Sequence, residues 1–97
     1  MPRHGLEGNR LMELTYFSSA FCEPCRQTRA VLAEVERLVP QTRVRELDVA
    51  RDTAEAEANG IRITPTVIVH DAAGSEIFRA TGVPTLSQVL VAIAKAL

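Results

Sequence analysis

Phe21-Cys22-Glu23-Pro24-Cys25-Arg26 holds both cysteines of the chain, three positions apart. It follows an apolar run from Leu11 to Phe17 and opens a long helical pattern. Residues i and i+3 of a first helical turn share a face. Two cysteines so placed can meet the short Cα–Cα reach that a disulfide requires. A Cys-x-x-Cys where strand passes into helix therefore reads as a dithiol–disulfide motif. Cys22, at or near the N-cap, faces unsatisfied backbone N–H groups and the positive end of the helix dipole. That field favours thiolate over thiol, and the thiolate is the attacking form.

Upstream, Met12, Leu14 and Tyr16 fall on one side of an extended segment, and Leu11, Thr15 and Phe17 on the other. Both sides are largely apolar or β-forming, so the segment reads as a central strand covered on both faces. Ser18-Ser19-Ala20 is a small polar turn into the cysteine pair. Downstream, the helix is expected from Cys22 to Leu38, with Pro24 tolerated in its first turn. Val31, Leu32, Val35, Leu38 and Val39 form its core-facing stripe, and Pro40 marks the stop. A second strand is read over Val44–Val49. Asp52 with Glu55 resembles a capping box opening a short helix from Thr53 to Asn59, with Gly60 as its left-handed end. Thr66–Val69 and Glu76–Ala80 make a hairpin around Asp71–Ser75. Thr85 with Gln88 caps a last helix whose stripe is Leu86, Val89, Leu90, Ile93, Ala94 and Leu97. The order strand, helix, strand, helix, strand, strand, helix predicts one α/β domain over residues 11–97. Its sheet is four-stranded and mixed, the first two strands parallel and the last two antiparallel, with helices on both faces. Residues 1–10 read as a flexible lead-in.

The chain has 97 residues and a formal net charge of −1, with the signs interspersed. Such a balance offers no basic field for nucleic acid, and no apolar run reaches the length of a membrane span. Residues 1–10 contain no apolar leader core, so the expected compartment is the cytoplasm, where a cysteine pair is more often reactive or metal-binding than a structural bridge. A metal half-site would need two further ligands, and the soft candidates are His4 and His70, one in the lead-in and one at a strand end. The expectation is no metal and no cofactor other than the cysteine pair itself.

Three features of the chain resemble the thioredoxin family, over residues 11–97. One is Phe17 through Cys25: a strand-end aromatic, small residues, an aromatic, then Cys-x-Pro-Cys. The second is Gly60-Ile61-Arg62-Ile63-Thr64-Pro65-Thr66, similar to the family's strand entry with its cis-proline. The third is Gly82 ahead of the last helix. The resemblance implies a thioredoxin-like fold, Cys22 as nucleophile, Cys25 as resolving thiol, and a cis Thr64–Pro65 peptide packed beside the disulfide. It implies docking of clients on Phe21, Thr64 and Pro65, with the Thr64 backbone free to pair with an extended segment. It also implies disulfide-containing client proteins and an upstream reductase such as a thioredoxin reductase as partners.

The departures from the family pattern carry expectations of their own. Phe21 stands where the family has Trp, and the chain has no Trp. Glu23 beside Cys22 opposes thiolate formation, while Arg26 and Arg29 favour it. The expectation is that Glu23 dominates locally and makes the pair more reducing, which a midpoint potential would read. Tyr16 aligns with the family's buried carboxylate and Glu46 with its lysine partner. Either Tyr16 is plain core, or Glu46 lies under the sheet, bonded to the Tyr16 hydroxyl, and acts as the distal proton acceptor. Ala30 replaces a helix proline, so the first helix should be straighter. Two functions follow: a thiol–disulfide oxidoreductase that reduces protein disulfides, or a protein-binding module on the same fold with an idle or regulatory dithiol.

Overall fold

Strand β1 (Met12–Ser18) is buried at every position but Glu13, because its alternate residues face two separate cores. Met12, Leu14 and Tyr16 pack with Leu32 and Val35 of helix α1 (Glu23–Leu38) and with Val89 and Ile93 of a later helix, Leu86–Ala96. Phe17 joins Leu47, Ala56 and Ile68 on the other face. The computed structural model describes residues 11–97; the lead-in expected at 1–10 lies outside the described residues.

Strand β2 (Thr42–Asp48) runs parallel to β1. Strand β3 (Thr66–His70) lies antiparallel on the other side of β1, and β4 (Glu76–Thr81) antiparallel to β3. The sheet order is β2-β1-β3-β4. Helix α2 (Thr53–Ala58) supplies Ala56 to the second core, and the last helix, α3, covers the first core together with α1. Helices thus close both faces, and the structure is the four-stranded mixed α/β sheet expected. Three outer N–H groups along β2 are guarded: Val39 O takes Thr42 N, Glu36 Oε2 takes Val44 N at 3.1 Å, and Asp52 Oδ2 takes Asp48 N at 3.0 Å. Such blocking keeps an open strand from recruiting another chain.

Three expectations are corrected. Leu38 is 45% exposed and Leu97 73%: the chain leaves α1 in extended conformation at Val39, which packs on the core in place of Leu38, and Leu97 lies past the end of α3. Asp52 makes no capping bond to α2. Its carboxylate turns back to Asp48 N and to the Arg51 guanidinium, and Glu55 bonds to Arg45 instead of closing a box. Strand β2 begins two residues earlier than read, because Gln41 O already accepts from Met12 N at 2.8 Å and extends the pairing. By contrast Thr85 and Gln88 form both bonds of a capping box, and Gly60, at φ 66°, ends α2 in the left-handed region.

Candidate active site

The turn after β1 aims the cysteine pair. Phe21 has φ 58°, a left-handed conformation that costs a non-glycine residue roughly 1–2 kcal/mol. Its ring stands fully in solvent. The next residue, Cys22, is the N-cap of α1, and the Cys25 N–H donates to its sulfur at 3.2 Å. Cys22 and Cys25 are joined, S–S 2.13 Å and Cα–Cα 5.2 Å. Cys22 is half-buried, whereas Cys25, one turn inward, is 2% exposed. Pro24 sits exposed in the first turn. A hollow of about 280 Å³ opens beside the pair, walled by Ser19, Phe21, Glu23, Arg26 and Arg29. Glu23 and Arg26 pair at 3.2 Å, both well exposed, so the two charges nearest the motif partly offset one another.

A second loop closes on the first. The Thr64–Pro65 peptide is cis, and Pro65 is buried. Its carbonyl accepts from Gly82 N at 2.8 Å, which pins the loop to the end of the hairpin. The Thr64 hydroxyl lies 2.8 Å from that of Ser19, a wall residue of the hollow, and ties the two loops across 45 positions of sequence. Ile63 and Val83, which flank these pinned residues, are exposed apolar side chains.

A polar network shares Arg29 with the hollow. The Tyr16 ring is core, but its hydroxyl donates to Glu46 Oε1 at 2.6 Å. Both sequence readings of Tyr16 therefore hold in part: it packs, and it bonds to Glu46. Ser18 donates to Glu46 Oε2 at 2.9 Å. Arg29 Nη2 donates to Oε2 at 2.7 Å, and its Nε donates to Oε1 and to the Tyr16 hydroxyl. Arg29 is the member that also reaches the hollow. Reasoning from sequence gave Arg29 only a minor electrostatic part and read Ser18 and Ser19 as a turn. The available signal was spacing, since Arg29 follows Cys25 by four and Cys22 by seven, on one helical face.

These contacts shift the groups' titration. The Arg29 guanidinium, helped by the Tyr16 and Ser18 hydroxyls, holds Glu46 down to about 2. Burial, and then the bond to Glu46, push Tyr16 up to about 12. Because the folded value for Glu46 is depressed from 4.5, its stabilisation is complete above the unfolded value and is lost as pH falls toward 2. The pair is 51% and 37% exposed in its side chains, so solvent screening limits the contribution to about 1 kcal/mol. Urea unfolding of Glu46→Gln should therefore lack about that much of the wild-type decline between pH 5 and pH 2. An equally steep decline in the variant would show that this carboxylate contributes nothing.

Among the described residues no cluster of three or more His, Cys, Asp or Glu side chains is placed to hold a metal. His70 closes β3, half-buried, and His4 lies outside the described residues.

A mixed sheet of this order, with a Cys-x-x-Cys at the mouth of its first helix, defines a thioredoxin-like protein. The sequence profile of the family described as Thioredoxin matches residues 6–95, and the chain belongs to the thioredoxin family. No curated protein sequence matches it. Among solved structures it is similar to a thioredoxin of Fasciola hepatica, at 18% identity and a TM-score of 0.77, over 98% of this chain and 90% of that one. It is also similar to a mutant thioredoxin of Halobacterium salinarum, at 21% identity and a TM-score of 0.80, over 95% of this chain and 80% of that one. Oxidised mitochondrial thioredoxin 3 of Saccharomyces cerevisiae matches at 17% identity and a TM-score of 0.76, over 96% of this chain and 88% of that one. At these identities the likeness is one of fold. Fold and cysteine pair together support thiol–disulfide oxidoreductase chemistry in its general form.

Proposed function

We propose that the protein reduces disulfides of client proteins by dithiol–disulfide exchange. The Cys22 thiolate attacks a client disulfide; a bond forms to one client sulfur, and the other leaves as thiolate. The Cys25 thiolate then attacks the Cys22 sulfur, the second client thiolate leaves, and two electrons have passed from the pair to the client. One observation carries this reading: Cys22, partly exposed at a helix N-cap with the Cys25 N–H directed at its sulfur, is joined to the sulfur of the buried Cys25. Those are the conditions for an exposed nucleophile and a protected resolver. An upstream reductase of the thioredoxin reductase kind, acting in the cytoplasm, would regenerate the dithiol. Reduction of insulin by dithiothreitol tests the proposal. Acceleration by wild type and not by Cys22→Ser is expected; equal rates would overturn it.

Phe21, Thr64 and Pro65 form the docking edge in this reading, with Ile63 and Val83 beside them. Left-handed backbone is poorly suited to an aromatic residue, yet Phe21 adopts it with its ring in water. Strain retained with an exposed apolar side chain points to a binding role. Phe21→Gly should raise stability to urea by about 1 kcal/mol and raise KM for a protein client while leaving exchange with a small disulfide near wild type. Unchanged KM would remove Phe21 from the docking edge.

The second reading is a protein-binding module with an idle or regulatory dithiol. The observation that favours it is the polar network itself: among the described residues the carboxylate near Tyr16 is Glu46, already bonded to Arg29, Tyr16 and Ser18.

A further inference from the structure

Resolution of the mixed disulfide requires Cys25, 2% exposed, to lose its proton. The charged and titratable groups around it are Glu23, Arg26 and Arg29 on its own helix, Tyr16 on β1 and Glu46 on β2, with Arg51 coupled to Glu46. Glu23 is turned to Arg26 at 3.2 Å and well exposed, and Glu46 and Tyr16 are not available bases. Glu46 already accepts from the Tyr16 and Ser18 hydroxyls and from two nitrogens of Arg29. The Tyr16 hydroxyl spends its proton on Glu46 and accepts from Arg29 Nε. Of the clamp, Arg29 lines the hollow with both cysteines, while Glu46 and Tyr16, which do not line it, hold the Arg29 Nε and Nη2. The clamp thus fixes a guanidinium in the wall of the hollow that the two cysteines share.

We propose that Arg29, held by Glu46 and Tyr16, is the positioning residue of the resolving step: it stabilises the Cys25 thiolate, whose proton leaves to solvent in the hollow rather than to a side chain. The bookkeeping closes without a further reactant. Water takes the proton from the Cys25 thiol, the thiolate's electron pair forms the Cys22–Cys25 bond, and the Cys22–client bond breaks toward the client. This inference rests on the reductase reading above.

The competing arrangement, with Glu46 as acceptor, predicts effects of opposite sign. Removing Arg29 would then free the carboxylate, make it more basic and speed resolution. In our reading Arg29→Gln raises the Cys25 titration by about one pKa unit. The thiolate fraction at neutral pH falls about tenfold, but a more basic thiolate is a better nucleophile, so resolution slows only about threefold.

The experiment measures two quantities. One is the site-resolved NMR titration of Cys22 and Cys25 in the reduced protein. The other is the stopped-flow rate at which Cys25 clears glutathione from Cys22. Both are run for wild type, Arg29→Gln, Arg29→Lys and Glu46→Gln, with circular dichroism confirming the fold. Expected are a raised Cys25 titration and slower resolution in Arg29→Gln, recovery of most of both in Arg29→Lys, and an intermediate result when Glu46→Gln loosens the clamp. Faster resolution in Arg29→Gln, or no change in either quantity, would overturn the inference. Failure of the wild type to form the Cys22–Cys25 disulfide in glutathione buffers would overturn instead the reductase reading beneath it.

Discussion

Cys25→Ser is expected to abolish repeated turnover while leaving the first exchange intact, so that a client remains covalently bound to Cys22. The effect is large because of what the second thiol supplies. A positioned intramolecular nucleophile acts at an effective concentration of ~10⁵ M or more, against millimolar free thiols in solution. With serine at that place the mixed disulfide waits for an outside thiol, and turnover falls by at least about 10³-fold, ~4 kcal/mol of barrier. The substitution is nearly isosteric at a site 2% exposed in the first turn of α1, so the fold should survive it. Cys22→Ser should differ in kind, giving neither turnover nor adduct. Non-reducing electrophoresis of Cys25→Ser with insulin, followed by release with dithiothreitol, reads the outcome. Turnover retained without Cys25, or no trapped adduct, would move the protein to the binding-module reading. On that reading both serine variants would keep full affinity for a partner.

The parts of the fold legible in the sequence are those in which cause and effect lie close together along the chain. Two apolar faces on Leu11–Phe17 gave a central strand, and β1 is buried on both sides. Thr85 and Gln88 are three residues apart and can satisfy one another without help, and both bonds form. The same pattern at Asp52 and Glu55 failed because stronger local partners intervene. Asp48 already caps Ala50 N and Arg51 N, Asp52 is drawn to Asp48 N and Arg51, and Glu55 to Arg45. A capping box depends on the absence of better partners, and that is a tertiary property.

The site divides in the same way. Cys22 at the N-cap with Cys25 one turn inward was readable from spacing and helix electrostatics. That Tyr16 and Glu46 would touch needed only the register of two parallel strands, in which they stand opposite. Arg29 was harder, because its place above Tyr16 depends on how α1 is rotated over the sheet, and Leu32 and Val35 fix that rotation from further along the helix. The Ser19–Thr64 contact and the left-handed Phe21 had no local signal: the first is made across 45 residues, and the second goes against the aromatic residue's own preference.

Leu32→Ala tests whether the core sets the site. Leu32 is fully buried between the sheet and α3, in one cluster with Tyr16, Val35, Val67 and Val89. Truncation removes its contacts and leaves a cavity that rigid neighbours on two sides cannot fill. The expected loss is about 3 kcal/mol, within the 2–5 range for such changes, or roughly a 150-fold shift in the unfolding equilibrium. Leu38, of the same type in the same helix but 45% exposed, should lose less than about 1 kcal/mol on change to alanine. Sequence periodicity alone treats these two leucines alike; only the departure of the chain at Val39 separates them. Urea midpoints at constant m-value read the difference, and equal losses would contradict the placement of α1 on the sheet. The variant also bears on chemistry. Arg29 precedes Leu32 by three residues and shares its helical face, so loosening α1 should weaken the grip of Glu46 and Tyr16 on Arg29 even where the protein stays folded. In reduced Leu32→Ala, at urea concentrations well below its midpoint, the Cys25 titration is therefore expected to move toward that of Arg29→Gln, and a titration identical to wild type would show that the clamp holds without the core beneath it.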